Sequence, residues 1–250
     1  MSIVYVLTWM FVFLRSVGLL LQLPVLAGHA LPVTVRLGLG VCLATLVAGI
    51  IPPAVVPSNL IDLGLMVASE VMLGLVLGFI SRLAFTAVEM AGRIMSSEIG
   101  LSATPGLGVP EPATEPLAAL LSSLALVLFF LLGGHHTLIE AFARSFAVAR
   151  AGRAALDPVA AEVLIRATGH VIELGVRMAA PFIAMNFLVT LAFSALGRMV
   201  PKMNVFILSF SVRAVAGLAL LSVSGALLAR YLYIEFADAP LQMLRVLGPR

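Results

Sequence analysis

Arg15, Glu70, Glu173, Arg177 and Arg213 lie inside long apolar stretches, and Glu89, Arg93 and Glu98 follow closely behind one of them. A charge at the centre of a membrane-spanning helix costs about 2.5–3.5 kcal/mol on insertion scales. Each Leu, Ile, Phe or Val returns about 0.3–0.6 kcal/mol. One span tolerates one such charge, but the whole set calls for partners in a protein interior. Glu89 with Arg93, and Glu173 with Arg177, have i,i+4 spacing with the acid first, the favourable order on a helix. Three uses of these charges stay open: local helical pairing with side chains reaching toward an interface, ion pairing between helices or subunits that fixes assembly, and a proton relay.

His135, His136 and Glu140 form a second group, with His136 and Glu140 on one helix face. The HExxH spacing is absent and no other His or Cys cluster accompanies them, so no metal site is expected. They read as the start of a helix near an interface. Cys42 is the single cysteine, which excludes an intrachain disulfide and a Cys-based zinc site. The chain has no phosphate-binding loop, nucleophile elbow or dinucleotide fingerprint, so neither an enzyme nor a cofactor is expected.

Composition dictates what must carry these residues. Of 250 residues, 62% are hydrophobic and 11% charged, against about 45–50% and about 25% in a soluble domain. That excess excludes intrinsic disorder and exceeds what a soluble body of this size can bury. The net charge of +3 is spread thinly, without the dense basic patch of a nucleic-acid binder. An all-α, polytopic membrane-type chain follows, since backbone groups in lipid must be satisfied within each segment. Six apolar helices are expected, at residues 5–26, 36–56, 60–80, 117–133, 171–196 and 205–234. The third is expected to continue as a more polar helix to about Gly100, with a bend near Ser81 and Arg82. Residues 135–150 form a shorter amphipathic stretch.

Pro24, Pro32, Pro52, Pro53 and Pro57 bracket the first two segments, and Pro181 and Pro201 mark a kink and a turn. Gly74 and Gly78, then Gly92, Ser96 and Gly100, make a stripe of small residues that lets helix backbones approach. Residues 151–168 are the largest polar connection. The first segment is not expected to be a cleaved signal, because no basic residue precedes it and Arg15 sits within it. Orientation stays open: six Arg/Lys on one side against five on the other decide nothing. Residues 102–116, rich in proline, with two glycines and two acids, cannot form a regular helix or lie bare in lipid.

In order along the chain stand Arg15 before Pro24-Val25-Leu26, LPVTVRLGLG from Leu31, Glu70 before GLVLGF, and AVEMAGRIMSSEIGLS from Ala87. LFFLLGGHHTLI from Leu128, Ser145-Phe146 and APFIAMNFLVTLAFSALGRMVPKMNVF from Ala180 complete the series. Each motif is weak alone, but their succession over nearly the whole chain resembles the flagellar biosynthesis protein R family. That family is similar to the export-apparatus T subunit of type III secretion injectisomes. One departure is the loop after Gly-Leu-Ser, where Glu111-Pro112 stands in place of the family's usual Asp-Pro.

The resemblance implies one 1–250 export-gate subunit domain, without catalysis, in the inner cell membrane at the flagellar basal body. Its apolar helices would form hairpins within a helical export-gate assembly with P- and Q-type subunits. B- and A-type subunits would link the gate to the cytoplasm, and unfolded flagellar subunits would be the cargo. It also implies that Ser102, Ala103, Thr104, Pro105, Gly106, Leu107, Gly108, Val109, Pro110, Glu111 and Pro112 plug the pore at rest. Arg15, Glu70 and Arg213 would then pair at subunit contacts. The competing expectations are an injectisome subunit and a secondary transporter, whose intramembrane charges would line a substrate path.

Overall fold

The computed structural model describes residues 3–24, 32–100, 116–153, 160–200 and 204–247. Seven helices carry nearly all of them: α1 (Ile3–Gln22), α2 (Val33–Ala48), α3 (Leu60–Ile99), α4 (Pro116–Leu131), α5 (Gly134–Val148), α6 (Ala160–Met199) and α7 (Val205–Arg245). Among the described residues there is no strand. Each of the six expected apolar segments contains a helix, and α5 is the expected amphipathic one.

The lengths differ from the expectation in instructive ways. α2 stops at Ala48 after 16 residues, a rise of about 24 Å against a hydrocarbon core of about 30 Å. The prolines at 52 and 53 follow directly. Four helices (α1, α3, α6 and α7) are long and apolar enough to cross a membrane, and α4 with α5 would add a fifth as one bent span. α6 begins at Ala160, inside the expected polar connection, and runs through Pro181 without ending. Ion pairs at i,i+4 spacing, Glu162–Arg166 at 2.5 Å and Glu173–Arg177 at 2.6 Å, support its polar first half. α3 likewise runs unbroken through Ser81 and Arg82. Its start is capped: the Asp62 N–H donates to Asn59 Oδ1 at 2.7 Å, and the Asp62 carboxylate accepts from the Ser58 N–H at 2.9 Å.

The chain divides into two compact units. The first comprises Met1–Ala84, Phe129–Thr168 and Glu235–Arg250; the second comprises Phe85–Leu128 and Gly169–Ile234. In the first, α1 and α2 form an antiparallel hairpin. Ser16 Oγ donates to the Gly40 carbonyl at 3.2 Å, and Trp9 Nε1 donates to Thr45 Oγ1 at 3.2 Å. α3 lies against α1 at the expected small residues. A Cβ on Gly74 would stand 2.3 Å from the Arg15 carbonyl oxygen, and one on Gly78 would stand 2.7 Å from that of Leu19. α5 buries Leu138, Ala141, Phe142, Ser145 and Phe146, the i,i+3/i+4 stripe of an amphipathic helix. Phe142 and Phe146 meet edge to face at 5.3 Å.

In the second unit the end of α3 packs on α4, α6 and α7. Gly92 admits Ala118, Gly175 admits Met90, and Gly217 admits the fully buried Ile99. Outward, α6 and α7 leave Phe187, Leu188, Leu191, Val215, Leu218 and Val223 largely exposed. Contiguous apolar surface on this scale calls for lipid or neighbouring protein to cover it.

Candidate functional site

The first unit centres on a charge pair sealed from solvent. α1 carries Arg15 inward and α3 carries Glu70, and neither side chain has exposed surface. Arg15 Nε donates to Glu70 Oε2 at 2.7 Å, Nη1 donates to Ser145 Oγ at 2.9 Å, and Nη2 donates to the Ala149 carbonyl at 3.0 Å. The guanidinium also lies over the Phe146 ring, 3.8 Å from its centroid, a cation–π contact. The second carboxylate oxygen, Glu70 Oε1, accepts from the Gly152 N–H at 2.8 Å. Gly152 has φ +80°, a left-handed conformation open to glycine at little cost. The Val55 N–H donates to the Ala151 carbonyl beside it at 3.1 Å. The pair thus ties α1, α3, the end of α5 and the turn after it into one clamp, with both charges compensated.

The second unit holds a polar crossing of three helices. Asn186 Nδ2 on α6 donates to Glu98 Oε2 on α3 at 2.5 Å. Thr190 Oγ1 donates to the Asn186 carbonyl at 2.7 Å, and Arg213 Nη2 on α7 donates to Thr190 Oγ1 at 3.2 Å. Glu98 and Arg213 therefore belong to one network, joined through Asn186 and Thr190. Neither of those was singled out from the sequence; an Asn and a Thr four residues apart in an apolar run were the available signal. Ser96 Oγ and Arg213 Nε are buried without a hydrogen-bond partner.

The remaining charges lie outside these centres. Glu89 and Arg93 pair with each other at 2.6 Å on the surface of α3, with 47% and 65% of their side chains exposed. Such a pair contributes only about 0.3–0.5 kcal/mol. The His135 and His136 rings lie with centroids 3.9 Å apart and planes tilted by 41°. Among the described residues no group of three or more His, Cys, Asp or Glu side chains could hold a metal. Residues 102–112 lie outside the described residues.

The family model described as "Bacterial export proteins, family 1" matches residues 6–239. The chain belongs to that family. The chain is 30% identical over 216 residues to the flagellar biosynthetic protein FliR of Caulobacter vibrioides, covering 85% of this chain and 86% of that one. It is 28% identical over 226 residues to the flagellar biosynthetic protein FliR of Escherichia coli K12, covering 90% and 87%. It is also 26% identical over 193 residues to the Yop proteins translocation protein T of Yersinia pestis, covering 74% and 69%. In this member of the bacterial export proteins, the two charge centres occupy different units. Each joins helices that are distant in sequence.

Proposed function

We propose that this chain is a subunit of the flagellar type III protein export gate, helping to form and close the channel that passes unfolded flagellar subunits. The observation that carries this reading is the family match over nearly the whole chain, with flagellar relatives covering most of both partners. The long helices with exposed apolar faces support it, because such surface suits insertion among other membrane subunits. In this reading the protein acts as one export-gate subunit at the basal body in the inner membrane, beside P-, Q-, B- and A-type subunits. It binds and positions, without catalysis or cofactor. Residues 102–112 close the pore at rest; they begin two residues after Gly100, and α7 grips Ile99 and Gly100 through Gly217 and Phe210. Glu98 and Arg213 then brace the helices from which this segment departs. Similarity to the Yop translocation protein favours an injectisome subunit as the second reading.

Affinity purification of the tagged full chain from mild detergent tests both. P- and Q-type flagellar subunits are expected in stoichiometric amounts, and injectisome subunits in their place would favour the second reading. A lone chain that takes up small solutes after reconstitution would overturn both. Deleting residues 102–112 should raise membrane conductance while assembly persists; unchanged conductance would remove the plug.

A further inference from the structure

We propose that the first unit binds one membrane phospholipid, with an acyl chain in an apolar crevice among α1, α2 and α5 and the phosphate at its arginine-bearing end. The crevice has a volume of about 240 Å³ and is lined by leucine, isoleucine and phenylalanine side chains, with His135 the one polar residue among them. Leu19, Leu23 and Phe142 form its floor and are almost wholly buried, while Leu39 and Ile139 at the rim are 41% and 42% exposed. It therefore reaches into the core and opens outward. An apolar cavity of about 150 Å³ lined by Leu, Ile and Phe stays dry and takes up hydrocarbon; this one is larger, so water is a poor filling and an alkyl chain a good one.

Two observations favour a phospholipid over a protein side chain. Phe130, on the rim, is 46% exposed on an apolar helix, the surface a bilayer would wet with acyl chains. At the same level α1, itself long enough to span, ends at Gln22. There Arg82 reaches from α3 to within 3.5 Å of Gln22 Oε1, next to the crevice residue Leu23. A span end is where headgroup phosphates lie, and basic residues between helices at that depth hold anionic headgroups.

The test uses the full chain in nanodiscs of phosphatidylcholine and phosphatidylglycerol, with trace phosphatidylglycerol carrying a photoactivatable diazirine on its acyl chain. Adducts are mapped by mass spectrometry. An excess is expected on residues 19–23 and 138–142 over the exposed faces of α6 and α7. Ile139→Trp and Leu39→Trp, which fill the mouth from opposite walls, should each abolish that excess while circular dichroism stays unchanged. Arg82→Gln should reduce adducts from phosphatidylglycerol but not from an equally labelled phosphatidylcholine. Adducts spread evenly over all exposed helices would overturn the site. So would adducts undiminished in both tryptophan variants. A photoreactive residue at 139 that captures a protein partner in cells, and no lipid, would also overturn it.

Discussion

Glu70→Met will destabilise the first unit by about 3–5 kcal/mol, the cost of leaving a buried charge without its partner. The change strands the Arg15 guanidinium at a site with no exposed surface and also removes the acceptor of the Gly152 N–H. Arg15→Met strands Glu70 in the same way. The double variant Arg15→Met/Glu70→Met should recover most of the loss, because a well-packed apolar pair can replace a buried ion pair at little cost. Equilibrium unfolding of the four proteins in detergent gives the coupling energy directly. Strictly additive losses would show that Arg15 and Glu70 do not depend on each other.

Gly74→Val is expected to have the second large effect, a loss beyond about 4 kcal/mol, in the range reserved for overpacking that the structure cannot absorb. The added Cβ would meet the Arg15 carbonyl oxygen at 2.3 Å and the Arg15 Cα at 3.0 Å. These are backbone atoms of α1 and cannot swing aside as a side-chain tip can. α1 and α3 must separate, and the Arg15–Glu70 bond would lengthen with them. Gly38→Ala and Gly64→Ala serve as controls: nothing lies within 4 Å of their added Cβ, and an alanine in a helix should gain up to about 1 kcal/mol. The same unfolding measurement distinguishes the cases; a Gly74→Val protein as stable as wild type would refute the close contact.

The contrast between these glycines marks how far the sequence could be read. The spacing of Gly74 and Gly78 revealed a packing stripe but not that α1 would fill it, because helical periodicity names a face and not its neighbour. Apolar runs located every long helix. They missed the first turns of α6, where Ala160, Val163 and Leu164 pack on the core but polar residues such as Glu162 and Arg166 interrupt the apolar run. They also overran α2, whose proline-bounded end makes it too short to span. The expense of placing Arg15 and Glu70 in apolar segments was legible, but their direct bond across 55 positions was not. The same limit hid Asn186 and Thr190. Their uncharged amide and hydroxyl draw less notice than a charge in an apolar run, yet these two join Glu98 to Arg213.

The most direct measurement is secretion of hook and filament subunits by cells from which the gene for this chain has been deleted. Those subunits should vanish from the medium, return with the wild-type chain and remain absent with Gly74→Val. Undiminished secretion and swimming in the deletion strain would contradict a role in flagellar export.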